Sequence, residues 1–299
     1  MSVVLSINNL SKSYGSVKAL NGVSFDVPQG SVFGILGPNG SGKTTLLGIV
    51  MDVLRANSGG FLWFGQPGTS PQLRQQIGSL LETPNFYSYL SGIANLRITQ
   101  SISRRGNKKE IDEVLKKVKL FDRRFSSFKT FSLGMKQRLA IAAALLGDPK
   151  VLVLDEPTNG LDPVGIAEIR ELIIELKDRG HTVIMASHLL DEVEKVCTHA
   201  AILKTGQLIA TGLVDEILMD EDVVEVSAAN LPQLADLMRK LSGTVLLDEK
   251  AGTVQLMLPK GTANMENINR YCFDNGIVLS QLMLKKKRLE ARFFELTNN

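Results

Sequence analysis

Nine consecutive residues, Gly37-Pro38-Asn39-Gly40-Ser41-Gly42-Lys43-Thr44-Thr45, have the types and spacing of a phosphate cradle. They follow the apolar run SVFGIL and open a helical pattern, so backbone N–H groups at the positive end of a helix can converge on phosphate oxygens. Glycine at 37, 40 and 42 removes the Cβ atoms that would hold those groups away. Lys43 adds a mobile cation for the β and γ phosphates, and the Thr44 hydroxyl is placed to ligate Mg²⁺. A second apolar run, Val151–Leu154, ends in Asp155-Glu156-Pro157. Neighbours on a strand point to opposite faces, but where the strand ends and the chain turns, both carboxylates can face the phosphates. Asp155 is then expected to hold Mg²⁺ through its water shell, and Glu156 to polarise the water attacking the γ-phosphate.

The elements that must hold these residues are legible as patterns. Val32–Leu36, Val151–Leu154 and Val183–Met185 are nearly continuous in apolar residues, as central strands buried on both faces require. Their alternation with helical stretches such as PVGIAEIRELIIELKDRG predicts an α/β core with a largely parallel sheet. After Gly212 the texture changes to a charged piece, VDEILMDED, and then to the period-two runs VVEVS, TVLLDE and TVQLMLP. LPQLADLMRKLSG and ANMENINRYCFDNG read as helices ended by glycine, and Glu249-Lys250-Ala251-Gly252 as a hairpin turn. The expected division is residues 1–218 and a small α+β domain, 219–299.

Composition sets limits on function. A chain of 299 residues suggests about two domains, and 34 Lys+Arg against 31 Asp+Glu leave only +3, which gives no reason to expect nucleic acid as partner. Cys197 and Cys272 are too far apart and too isolated to suggest a disulfide or zinc site, so both read as reduced thiols of a cytosolic protein. The longest apolar block, Leu139–Leu146, falls well short of the ~18 residues that span a bilayer. The basic clusters Arg104-Arg105 with Lys108-Lys109, and Lys285-Lys286-Lys287-Arg288, read as solvated faces.

Just upstream of the acid pair, Phe131-Ser132-Leu133-Gly134-Met135-Lys136-Gln137-Arg138 resembles the LSGGQ-type signature of the ATP-binding cassette (ABC) family. It departs from that pattern at Phe131, Leu133 and Met135 and keeps Ser132 and Gly134, the phosphate-contacting positions, at a helix start where an anion is favoured. The resemblance spans residues 2 to about 215, with every motif in order. It implies an α/β P-loop NTPase fold: a mainly parallel central sheet, an antiparallel β subdomain and a helical subdomain at about 84–148.

The resemblance also implies roles for single residues. Tyr14 resembles the aromatic that stacks on adenine, Asp162 the loop that bridges subunits, and His188 the switch histidine that reads the γ-phosphate. Glu82 stands where the family usually places a glutamine that touches Mg²⁺, a role a carboxylate can also fill. Phe86, Tyr87 and Tyr89 follow it, as anchors for a transmembrane partner's cytoplasmic helix or as local packing under a helical lid.

With one cradle and one signature, the chain requires a second cassette, identical or related, to sandwich two ATP molecules. The implied cofactors are ATP and Mg²⁺, the partners transmembrane permease subunits, and the location the cytoplasmic face of the membrane. Glu82, the SLGMKQR signature and the ending Leu289-Glu290-Ala291-Arg292-Phe293-Phe294-Glu295-Leu296-Thr297 resemble ABC-2-type and bacitracin-resistance-like exporter ATPases. A soluble cassette acting on ribosomes or DNA, and an import ATPase with a regulatory tail, remain as other readings. The first usually brings tandem cassettes or long insertions, and the second a larger all-β tail.

Overall fold

The computed structural model describes residues 2–67, 70–81, 85–218, 221–241, 244–248, 252–259 and 261–285. The chain divides into two compact units, Met1–Val214 and Asp215–Asn299.

The first unit is built on two sheets. Strands β1 (Val3–Tyr14), β2 (Val17–Pro28), β4 (Ser58–Trp63) and β5 (Gln66–Pro67) form an antiparallel sheet in the order β2-β1-β4-β5. Strands β3 (Val32–Leu36), β6 (Ile77–Leu80), β7 (Val151–Asp155), β8 (Thr182–Ser187), β9 (His199–Lys204) and β10 (Gln207–Leu213) form the other, ordered β10-β9-β3-β8-β7-β6. All neighbours in it are parallel except β10. The three apolar runs picked out in the sequence are its central strands β3, β8 and β7, buried at every position. That is the mainly parallel sheet with an antiparallel companion that the sequence implies.

Helices cover these sheets: α1 (Lys43–Val50), α2 (Pro71–Gln75), α3 (Gly92–Ser103), α4 (Lys108–Lys117), α5 (Leu133–Leu145), α6 (Pro163–Asp178) and α7 (Leu190–Val196). Their starts follow local chemistry. Ser91, Asn107, Ser132 and Asp162 each cap a helix by accepting a backbone N–H with the side chain, and Pro163 opens α6 where a missing N–H costs nothing. Between the two sheets, Leu5, Ile7, Leu20 and Val23 pack with Phe33, Ile35, Leu46, Val151 and Val153. Each such fully buried side chain stabilises the fold by about 1.5–3 kcal/mol. Close approach brings α7 against β3: a Cβ on Gly34 would lie 2.9 Å from Val193 Cγ1 and 3.1 Å from Cys197 Sγ.

The second unit begins within α8 (Val214–Leu218). It contains β11 (Glu221–Ala228), α9 (Leu231–Leu241), β12 (Thr244–Asp248), β13 (Thr253–Pro259), α10 (Met265–Asp274) and β14 (Leu279–Lys285). Its sheet is antiparallel, in the order β12-β13-β11-β14. Alternate residues Val224, Val226, Val254 and Leu256 face Leu234 and Met238 of α9 and Ile268 and Cys272 of α10, giving this unit its own core.

Cys197 and Cys272 are both free and buried, one in each unit. No helix among the described residues is long and apolar enough to cross a membrane. Most of the expected turn at 249–252, the basic run from 286 and the terminal Leu289–Thr297 pattern fall outside the described residues.

Candidate active site

The loop between β3 and α1 is closed so tightly that Gly37 and Gly42 are steric necessities. A Cβ on Gly37 would stand 2.3 Å from Ser41 Oγ and 2.4 Å from Leu203 O, and one on Gly42 would stand 2.4 Å from Ala19 O. Gly40 and Gly42 have φ of 80° and 105°, in the left-handed region that glycine enters without strain. Gly42 is also the N-cap of α1 and offers no side-chain cap. The first N–H groups of that helix are therefore left to whatever fills the loop. Pro38, Asn39 and Gly40 are exposed at its rim, Thr44 is exposed, and Thr45 is half-buried. Ser41 Oγ is buried without a hydrogen-bond partner.

Lys43 is folded back into this loop. Its Nζ donates to Gly37 O at 2.8 Å and to Pro38 O at 3.3 Å, and lies 3.8 Å from Glu156 Oε1. Burial holds the ammonium below the ordinary lysine range, partly offset by Glu156 and then Asp155. Lysine from the loop and both acids from the end of β7 are thus within one electrostatic neighbourhood.

Neighbouring parallel strands complete the cluster. Asp155 pairs in register with Ala186 of β8 and is buried to 5% exposure. The next residue, Glu156, turns out of the strand with φ of 47°, an uncommon conformation for a carboxylate residue, held by its N–H donating to Ala186 O at 3.0 Å. Two residues beyond Ala186 comes His188, whose Nδ1–H donates to Glu156 Oε2 at 2.8 Å. With the proton there, a neutral ring keeps Nε2 as its acceptor. Glu156 thus has Lys43 on one oxygen and His188 on the other, while remaining 21% exposed.

Ser132, Gly134 and Asp162 come together elsewhere. They line one open depression with Leu133, Gly160 and Leu161, and no residue of the phosphate loop, the acid pair or His188 shares it. Ser132 Oγ accepts from Met135 N at 3.2 Å and Asp162 Oδ1 from Gly165 N at 2.8 Å, so both helix starts are self-capped. A Cβ on Gly134 would find its nearest neighbour, Leu161 Cδ2, at 3.9 Å.

Tyr14 is half exposed at the end of the β1–β2 hairpin, with Lys12 Nζ 5.1 Å from its ring centre. The β2 arm of that hairpin is the segment whose Ala19 carbonyl presses on Gly42. Glu82 falls outside the described residues. Of the aromatics after it, Phe86 packs edge-on against Phe128 with centres 5.2 Å apart, while Tyr87 and Tyr89 are exposed. Phe86 thus meets the expectation of local packing. Sequence reasoning missed the Glu156–His188 contact and the support from Ala186 O; the common signal was a strand end followed by a polar residue in two runs.

A family profile described as ABC transporter matches residues 20–159. The chain is 42% identical to the bacitracin transport ATP-binding protein BcrA of Bacillus licheniformis, over 99% of this chain and 98% of that protein. It is 41% identical to the lantibiotic transport ATP-binding protein SrtF of Streptococcus pyogenes, over 69% of this chain and 89% of that protein. Among solved structures it resembles the ADP conformation of MJ1267, an ATP-binding cassette of an ABC transporter. The TM-score is 0.66 at 28% identity, covering 72% of this chain and 93% of that one. The fold is one that binds nucleotide, and the chain belongs to the ATP-binding subunits of ABC transporters, ATPases coupled to transport.

Proposed function

We propose that this chain powers an exporter from the cytoplasmic face of the membrane, as one of two cassettes that close on two Mg-ATP molecules. The observation carrying this reading is the division of labour within one chain: a cradle with its acids and histidine, and a separate capped face at Ser132, Gly134 and Asp162. Each half lacks what the other supplies, and two copies arranged head to tail satisfy both. The names of relatives that transport bacitracin and lantibiotics support an antibiotic-class cargo, handled by the membrane subunits.

The residues fit the ligands. A loop with no room for a Cβ at Gly37 or Gly42, an uncapped helix start and a buried, unpartnered Ser41 hydroxyl suit phosphate oxygens. The exposed Thr44 hydroxyl and the Asp155 carboxylate, with Glu82 where the sequence places it, are the hard oxygen donors Mg²⁺ prefers. Bound there, the ion would neutralise charge developing between the β and γ phosphates.

Lys43 is engaged by Gly37 O, Pro38 O and Glu156. Phosphate competes for that ammonium, and drawing it away leaves Glu156 Oε1 open to a water, with His188 still fixing the other oxygen. Glu156 then accepts a proton from that water, Tyr14 stacks on adenine, and the second copy's Ser132 and Gly134 meet the γ-phosphate.

The test is Glu156→Gln. Hydrolysis should fall ~10²–10⁴-fold, the usual range for a general base, while Mg-ATP still binds and the cassettes accumulate as a closed dimer visible by size-exclusion chromatography. Unchanged turnover would remove Glu156 from the mechanism. Tagged Glu156→Gln purified from solubilised native membranes with Mg-ATP should bring down a polytopic membrane protein; recovery of ribosomal proteins instead would overturn the exporter reading.

A further inference from the structure

Arg105 stands outside every group described so far. The sequence places it with Arg104, Lys108 and Lys109 on a solvated face, and those three are exposed. Arg105 instead turns inward: Nη1–H donates to Ile77 O at 2.7 Å and Nη2–H to Ala143 O at 3.5 Å. Burial lowers the pKa of this guanidinium. Burying part of a guanidinium is costly unless its N–H groups are satisfied, so the groups that accept from it are held in place by it. Here they are the carbonyl at the start of β6 and a carbonyl in the last turn of α5, where the helix dipole favours a cation.

The surrounding backbone leaves no slack. A Cβ on Gly78, next to Ile77 in β6, would lie 2.0 Å from Ala144 O. A Cβ on Gly147 would lie 2.9 Å from Arg105 Cβ and 3.0 Å from Gly106 N. Strand β6 and the carboxyl end of α5 therefore touch backbone to backbone, with the loop carrying Arg105 clasped over the junction. The two joined elements lead to different places. The amino end of α5 presents Ser132 and Gly134, while β6 precedes in sequence the loop of the exposed Tyr87 and Tyr89.

We propose that Arg105 is a positioning residue for hydrolysis: by fastening the carboxyl end of α5 to β6, it fixes where Ser132 and Gly134 stand, and so acts on ATP held by a second copy's cradle rather than its own. This rests on the reading that the Ser132–Gly134 face serves a second cassette. The lever is long. A helix of 13 residues extends about 20 Å, so a pivot of about 3° at its clasped end moves the other by about 1 Å. Displacements of that size cost up to about 100-fold in rate.

The experiment compares Arg105→Gln and Arg105→Lys with the unmodified chain, each checked for an unchanged circular dichroism spectrum. Arg105→Gln should leave ATP affinity of the single chain within about 2-fold and lower kcat at least ~10-fold, with Arg105→Lys in between because an ammonium reaches one carbonyl where the fork reaches two. The decisive readout uses mixed dimers that also carry Glu156→Gln. Activity should survive when Arg105→Gln and Glu156→Gln are on different copies, because one site is then intact, and be lost when both are on the same copy. The reverse pattern, an ATP affinity that falls in step with kcat, or an unaltered kcat overturns the proposal. Failure of Glu156→Gln cassettes to pair with Mg-ATP instead overturns the underlying two-cassette reading.

Discussion

Two helix starts in this cassette are suited to anions, and they are finished in opposite ways. At α1 the N-cap is a glycine with no side-chain bond, the lysine is buried, and the loop is packed against Ala19 and Leu203. At α5 the N-cap is Ser132, whose hydroxyl already accepts from Met135 N, and the nearest obstacle to a side chain at Gly134 is 3.9 Å away. The first end is incomplete without a ligand and has no room to adapt. The second is complete in the isolated chain and open. On the proposed reading, the contrast separates a site that recognises nucleotide from a surface of a second copy that completes it.

That contrast can be broken by glycine substitutions of identical chemistry. Gly37→Ala inserts a methyl 2.3 Å from Ser41 Oγ and 2.4 Å from backbone. At ~1–3 kcal/mol for overpacking, ATP affinity of the isolated chain should fall about 10–100-fold, measured by titration calorimetry. Gly134→Ala should leave that affinity unchanged and lower kcat by about tenfold, equivalent to ~1.4 kcal/mol, through imperfect closure of the pair. Equal losses of affinity in both variants would erase the distinction. The finest probe is Ser132→Ala, which removes a cap worth ~1 kcal/mol and should lower the melting temperature of the first unit by about 2–4 °C.

How much was legible in the sequence follows from the same physics. Gly37 and Gly42 announced themselves because crowding leaves no room for a side chain, Gly40 because its φ of 80° favours glycine, and continuous apolar runs identify strands buried on both faces. The meeting of Glu156 and His188 was hidden, because they are 32 residues apart and only the parallel pairing of β7 with β8 joins them. Nor could composition reveal the positive φ of Glu156, which depends on a bond to Ala186 O. Arg105 was misread for a related reason. In sequence it is one of four neighbouring cations, and only the junction of β6 with α5 distinguishes it from Arg104.

The two cysteines carry a consequence for handling the protein. Burial raises the thiol pKa of both Cys197 and Cys272, most strongly at Cys197, so neither is present as reactive thiolate in the folded chain. Cys197 packs behind the strand that leads into the phosphate loop, and Cys272 sits in the core of the second unit. An alkylating reagent therefore reaches each sulfur only when its own unit opens. Mass spectrometry of the labelled peptides would time the opening of the two units separately, in one sample and without any engineered probe.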